Sequence, residues 1–309
     1  MKTIPLGRQG QTGPAIALGC MRMAALSERE LDTLVGTAID CGVTFFDHAD
    51  IYGRGDSEAA FGALLKRTPS LRGRIHLQSK CGIRKEPGGT YYDFSKSYLL
   101  AAVDGILSRL GVDHLDSLLL HRPDPLMEPE EVAEAFSQLE QAGKVRQFGV
   151  SNFNTRQLML LQSAVQQPLQ FNQLQFSLMH TGMLDHAVLT NTKFPGAEDR
   201  DGEVLDYCRL NGITLQAWSP FQYGCFEGVF VDNEKFPALN KAMEEVGASY
   251  GLSKTAVAVA WLLRHPAQIQ VLVGTTNPAR LRDFCTAADV TLSRADWNKL
   301  YCAAGNRLP

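Results

Sequence analysis

The sequence predicts an α/β fold, a closed (β/α)8 barrel of the TIM-barrel kind, and three observations carry that expectation. Short apolar runs alternate with amphipathic helical stretches along all 309 residues. The alternation gives a parallel sheet covered by helices on its outer face. There are eight such runs, the number that closes a barrel of roughly 250 to 300 residues. Seven of them end in a polar residue or a Trp, as strands do when they deliver side chains to one rim. A doubly wound open sheet is the structural alternative. No linker or low-complexity segment divides the chain, so residues 1–309 are expected to form one barrel domain.

The first segment, with Gly7, Gly10 and Gly13, is expected to form a short hairpin that closes the bottom of the barrel. The runs then follow in order: "AIALG" (15–19), "VTFF" (43–46), "RIHLQS" (74–79), "DSLLL" (116–120), "VRQFGV" (145–150), "LQFNQLQF" (169–176), "ITLQA" (213–217) and "IQVLV" (269–273). Between them, Leu31, Leu34, Val35 and Ala38 keep helical spacing, as do Leu99, Val103, Ile106 and Leu110. Val132, Ala135, Phe136 and Leu139 make a third stripe and Ala256, Val257, Ala260 and Trp261 a later one. All four read as core-packing faces.

Asp47 follows the second run, Lys80 the third and His121 the fourth; Ser151 and Asn152 follow the fifth, and Gln173 lies within the sixth. Trp218 and Ser219 close the seventh, Gly274 and Thr275 the eighth. Any one of these could be a cap or a turn. In a barrel all would share the C-terminal rim, where active sites are built. Tyr52 stands five residues after Asp47. A phenol is a weak acid at neutral pH. A nearby ammonium stabilises the phenolate, and a carboxylate can hold the ammonium. Asp, Tyr, Lys and His together therefore suit proton donation to an oxygen that is gaining negative charge. An Asp–Lys pair can also be no more than a salt bridge at the barrel mouth.

Motifs in order extend this reading. "GVTFFDHADIYGRGDSEAAFG", "LQSK", "LLLHRPDP", "GKVRQFGVSNF", "NQLQFS", "AWSPF" and "VGTTNPARLRD" resemble the aldo-keto reductase family over nearly the whole chain. "DHADIYG" and "HRPDPLMEPEEVAEAF" resemble most a bacterial branch of predicted oxidoreductases labelled YdhF. The resemblance implies an NADPH-dependent, reversible reduction of an aldehyde or ketone. In it Tyr52 is the general acid, Lys80 lowers the Tyr52 pKa, Asp47 pairs with Lys80, and His121 orients the carbonyl.

It also implies a dinucleotide stretched across the rim. Ser151, Asn152 and Gln173 would hold the nicotinamide carboxamide, and Trp218, where the family commonly has Tyr, would stack on its ring. The loop opening with Ser219 and Phe221 would cross the pyrophosphate, and Gly274, Thr275, Asn277 and Arg280 would take the adenosine 2′-phosphate. Cys20 and Met21 match the family's first cofactor-proximal turn. No G-x-G-x-x-G follows a strand, so the dinucleotide is not expected in a Rossmann crevice. A cofactor-sensing subunit with slow turnover is the second functional reading.

A formal net charge of −3, with scattered basic residues, argues against nucleic acid or an anionic membrane as partner. The N-terminus lacks the apolar stretch of a signal peptide, no apolar run approaches a membrane span, and seven cysteines form no C-x-x-C. The expectation is a cytoplasmic protein with reduced thiols and no metal. The pair His48 and Asp50 is expected to make hydrogen bonds in its loop. Substrate choice is expected from loops 21–27, 83–95, 122–128, 177–199 and 301–309, where Tyr91, Tyr92, Phe94 and Met179 either form a partly apolar pocket or pack on the scaffold. Loop 177–199 is long enough to be a flap or to hold a short helix.

Overall fold

A computed structural model describes residues 1–8, 10–86, 89–190, 203–224 and 226–306. The chain opens with the antiparallel pair β1 (Thr3–Leu6) and β2 (Gln11–Pro14). The barrel strands β3 (Ile16–Gly19), β4 (Phe45–Asp47) and β5 (His76–Cys81) come next. A second hairpin, β6 (Ile83–Glu86) and β7 (Gly89–Tyr92), interrupts the alternation. The barrel resumes with β8 (Ser117–Leu120), β9 (Phe148–Ser151), β10 (Leu169–Gln175), β11 (Thr214–Trp218) and β12 (Gln270–Val273). These eight parallel strands close in the order β3-β4-β5-β8-β9-β10-β11-β12, with β12 hydrogen-bonded back to β3. Every apolar run singled out above contributes one of them.

The helices lie between successive strands, except for the last two, which follow β12. They are α1 (Glu28–Asp40), α2 (Asp56–Arg67), α3 (Lys96–Leu110), α4 (Pro129–Gln141), α5 (Thr155–Ala164), α6 (Gly182–Val188), α7 (Val204–Leu210), α8 (Pro237–Tyr250), α9 (Lys254–Leu263), α10 (Pro278–Thr286) and α11 (Arg294–Ala303). Local chemistry sets their ends. Ser27 and Glu30 form a reciprocal capping box at the start of α1, and Gly111, with φ of +63°, ends α3. Their apolar stripes bury against the outward residues of the strands. Phe136 of α4 stacks on Phe148 of β9 at 4.1 Å, and Phe61 of α2 meets Phe46 of β4 at 5.2 Å.

The first hairpin seals the N-terminal end as expected. Gly7 N–H donates to Thr214 Oγ1 at 2.7 Å, Arg8 N–H to Gln170 Oε1 at 2.6 Å, and Gln270 Nε2 to Pro14 O at 2.8 Å. Thr214, Gln170 and Gln270 all lie at the beginnings of their strands, so the plug is tied to three of them. Inside the barrel, period-two alternation places Gly149 opposite Leu119 and Phe171. A Cβ on Gly149 would come within 2.6 Å of Leu119 Cδ2 and 2.7 Å of Phe171 O.

Loop 177–199 holds a helix in its described part, α6; residues 191–199 lie outside the described residues, as do 307–309 of the chain end. Among the described residues no single helix is long and apolar enough to cross a membrane.

Candidate active site

The rim at the C-terminal ends of the strands encloses a cleft of about 890 Å³. Its floor is the junction of β4, β5 and β8. Asp47 ends β4, and Lys80 lies two residues beyond its register partner Gln78 on β5. Both are buried, Lys80 completely. Lys80 Nζ donates to Asp47 Oδ1 and Oδ2, each at 2.7 Å, and to the carbonyl oxygen of His48 at 2.7 Å. Three acceptors satisfy the three N–H bonds of an ammonium, so the charge is held although water is excluded. Burial opposes that charge, but Asp47 and the Tyr52 hydroxyl outweigh it and raise the Lys80 pKa.

The loop after β4 carries Tyr52 over this pair. Its ring centroid is 5.1 Å from Lys80 Nζ and 6.0 Å from that of His121, which it meets edge-on. The loop needs left-handed backbone at Gly53, Arg54 and Gly55 (φ of +60°, +58° and +97°). At Gly55 a Cβ would also lie 2.7 Å from Arg109 Cδ, so glycine is required there twice over.

Arg109 fixes the turn. Its guanidinium donates to Glu58 Oε2 through Nε at 2.8 Å, while Ser79 Oγ donates to Glu58 Oε1 at 2.6 Å. Glu58 therefore pins α2, and the Tyr52 loop before it, to β5. Gly62 permits the same packing: a Cβ there would meet Arg109 O at 2.2 Å. Glu58 and Gly62 of the first motif thus support the loop, and Ser57 Oγ ties the same helix to the turn after β3 by donating to Met21 O at 3.2 Å.

Burial pushes the Tyr52 phenol up and Lys80 pulls it back, with a net rise. The expectation that Lys80 lowers this pKa is met in direction, but desolvation is the larger influence. Burial first, then the positive charges of Lys80, Arg122 and Lys85, hold His121 well below the ordinary histidine range, so its imidazole is neutral at neutral pH. His121 Nδ1 is buried without a hydrogen-bond partner, which leaves Nε2 as the ring nitrogen open to the cleft.

Asp47 is held from below by side-chain amides, of which the sequence singles out only Gln173. Gln78 Nε2 and Gln173 Nε2 donate to Asp47 Oδ1 at 2.7 and 3.1 Å, and both also reach Gln216 Oε1. Gln216 Nε2 donates to Gln270 Oε1 at 2.8 Å. A continuous chain of side-chain amides thus descends the barrel axis from Asp47 to the plug. Gln78 and Gln216 stand two residues before Lys80 and Trp218 respectively, and that spacing is the signal that could have found them.

Around the cleft the structure gathers Met21, Ser151, Asn152, Gln173, Trp218, Ser219, Phe221, Gly274, Thr275, Asn277 and Arg280, as expected. Cys20 is not among them. It is fully buried, its thiol bonded to Leu18 O and its N–H to Asp47 O, so it braces the rim from behind. Trp218 Nε1 donates to Asn152 Oδ1 at 3.2 Å, and Asn152 Nδ2 donates to Ser151 Oγ at 2.8 Å. Gln173 Oε1 carries no hydrogen bond among the described residues. Asn277 Oδ1 caps α10 by accepting from Ala279 N–H at 2.8 Å, and Arg280 is exposed on the first turn with no ionic partner among the described residues.

Other expectations need correction. His48 makes no side-chain hydrogen bond. Both ring nitrogens are buried without partners, the ring lies against Phe61, and burial depresses its pKa to about 3. Asp50 does accept from Tyr98 Oη at 3.2 Å. Tyr91, Tyr92, Phe94 and Met179 do not line the cleft; Phe94 is core, and the two tyrosines sit exposed on β7. The cleft instead takes Arg22, Ile51, Arg122 and Phe226 from its loops and Ile83 and Lys85 from β6. Among the described residues no group of three or more His, Cys, Asp or Glu is placed to hold a metal ion.

The sequence model of the Aldo/keto reductase family matches residues 15–303. The chain belongs to the aldo/keto reductase family. Oxidoreductase YdhF of Escherichia coli (strain K12) is 35% identical, covering 98% of each chain. A 6-dehydroglucose reductase of Agrobacterium fabrum is 37% identical over 85% of this chain and 84% of its own. Among solved structures, an aldo-keto reductase from Klebsiella pneumoniae in complex with NADPH shares the fold with a TM-score of 0.77, at 24% identity over 97% of this chain and 93% of its own. The family's eight-stranded barrel is the architecture found here, and the chain is an oxidoreductase acting between carbonyl and alcohol groups.

Proposed function

We propose that this aldo/keto reductase is NADPH-dependent and reduces an aldehyde or ketone reversibly, with Tyr52 as general acid. The observation that carries the reading is the buried Lys80 ammonium, bonded to both Asp47 oxygens directly beneath Tyr52. A phenol kept protonated by burial is in the right state to donate. The adjacent ammonium then stabilises the phenolate left behind. Neutral His121 can offer an N–H to the substrate oxygen without adding charge. In the oxidative direction the same Tyr52 oxygen takes the proton back.

The cleft residues fit a nicotinamide dinucleotide. Gln173 Oε1 is free to accept from a carboxamide, Trp218 offers a flat face, and Arg280 beside the N–H groups at the start of α10 suits a phosphate. When bound, NADPH supplies the hydride that side chains cannot. The NADPH complex of the Klebsiella protein supports this cofactor, and the 6-dehydroglucose reductase supports a small carbonyl substrate. A net charge of −3 fits a cytoplasmic setting without nucleic acid or membrane partners.

The test is the rate of NADPH oxidation by the purified protein against a panel of aldehydes, ketones and sugars, with Tyr52→Phe alongside. We expect the variant to lose at least about a hundredfold in kcat while binding NADPH as the wild type does. Wild-type turnover in Tyr52→Phe would remove the phenol from the mechanism. Tight NADPH binding without reduction of any compound would favour a cofactor-sensing subunit.

A further inference from the structure

We propose that the cleft mouth beside Tyr52 and His121 is a subsite for an anionic group of the substrate, a carboxylate or phosphate held by Arg122 and Lys85. This rests on the reductase reading above and names its substrate class. Both residues line the same cleft as Tyr52 and His121, and neither has a carboxylate partner among the described residues. Elsewhere on the barrel, basic side chains near the strands are paired: Arg109 with Glu58, Arg72 with Asp116, Lys80 with Asp47. The contrast is sharpest within β6. Alternation turns Ile83 and Lys85 to the cleft and Arg84 away from it. Arg84 meets Asp93 at 2.9 Å, whereas the cleft-facing Lys85 meets no acid.

Arg122 is not a freely solvated charge. Its guanidinium carbon lies 5.7 Å from the Trp218 ring centroid, a cation–π contact that holds it over the cleft. The nearby Asp124 forms no ion pair with it: Asp124 Oδ2 accepts from Phe94 N–H and Oδ1 from Leu126 N–H, each at 2.9 Å. The two acids that line the cleft are likewise engaged, Asp47 by Lys80 and Asp232 by Lys254.

The position of the pair separates it from the phosphates of a dinucleotide. In the closed ring, β8, whose end carries Arg122, stands four strands from β12, whose end leads to Arg280. Four of eight is the opposite side of the rim. Arg22 follows β3, next to β12, and belongs with Arg280. Arg122, reaching over Trp218, and Lys85 thus have no carboxylate partner among the described residues and start from the part of the rim that carries the proposed proton donor, where an anionic tail would place its carbonyl toward Tyr52.

The experiment compares charged and neutral partners of one skeleton: 4-carboxybenzaldehyde against its methyl ester, and glyceraldehyde 3-phosphate against glyceraldehyde. Wild type and the Arg122→Met/Lys85→Met double variant are assayed with NADPH. Calorimetric titration with 4-(hydroxymethyl)benzoate reads binding without turnover. We expect wild type to favour the charged member by roughly tenfold to a hundredfold in kcat/KM, an advantage that shrinks with added salt. The double variant should lose that preference and the calorimetric signal, and NADPH-dependent fluorescence quenching shows that it is folded. Which pair shows the effect distinguishes carboxylate from phosphate. Equal use of charged and neutral members by wild type, or a preference that survives in the double variant, overturns the subsite and leaves the reductase reading standing. Failure to reduce either member of both pairs, despite NADPH binding, overturns the two together.

Discussion

The space inside the barrel and the shell outside it are built from different chemistry. Between strands and helices the contacts are apolar: Phe136 on Phe148, Phe61 on Phe46, and α9 buried along most of its length. Along the axis a polar run of Gln78, Gln173, Gln216 and Gln270 ends on Asp47, sharing the lumen with the packed rings of Phe45, His76 and Phe171. Burial in the shell is nondirectional and tolerates repacking. An amide chain in a dry lumen fixes distances and angles, because each unpaired member is costly. The shell therefore supplies stability, and the lumen holds Asp47, and through it Lys80, in one geometry beneath Tyr52.

The contrast breaks most visibly in the shell. Phe136→Ala removes a fully buried ring stacked on Phe148 and should cost about 3–5 kcal/mol of unfolding free energy. At a temperature where the variant is folded, its kcat/KM should stay near the wild-type value. Denaturant melts and assays on one preparation check both halves; a large catalytic defect in the folded variant would erase the division of labour.

Gln216→Leu tests the lumen. It strips partners from Gln78, Gln173 and Gln270 at a stability cost of about 1–3 kcal/mol, less than the shell variant. Its kcat/KM should nevertheless fall by roughly tenfold to a hundredfold, because Asp47 loses its orientation. An active but unstable Gln216→Leu would show that the amide chain is only fill.

The effect that is smallest at neutral pH concerns His48, which faces the shell from the end of β4 although its neighbour Asp47 faces the lumen. Its folded pKa, about 3, lies below the ordinary 6.5. Between those values the unfolded chain binds a proton that the folded protein refuses. Stability from this group is therefore full above pH about 6.5 and is lost as pH falls toward 3, at a limiting slope of about 1.4 kcal/mol per pH unit. His48→Phe should flatten that acid limb while changing little at neutral pH. Thermal melts from pH 7 to pH 4 would read it, and an unchanged acid limb would remove His48 as its cause.

Much of this was legible in the chain itself. The eight barrel strands stood out because each is a short apolar run bounded by turns. The sites at their ends stood out because polar residues repeatedly followed those runs. The β6–β7 hairpin, by contrast, has no such signature. Its β7 residues are all exposed, so it buries no face and leaves no hydrophobic period to detect. Tyr91 and Tyr92 stay ambiguous in the sequence for a related reason: an aromatic in a loop carries no sign of which way it faces.

The sequence by itself determined the alternation of strand and helix, the glycines that permit the turn at Gly55 and the helix crossing at Gly62, and the order of the motifs that identify the family. These depend on local sterics and on period, which are written in consecutive residues. Only the tertiary structure decided that Gln78, Gln216 and Gln270, on strands far apart in the chain, form one amide column, that Cys20 lies behind the rim, and that Arg122 and Lys85 line the cleft with no carboxylate partner among the described residues. Those relations arise when the barrel closes and brings strands distant in sequence to a common axis and a common rim.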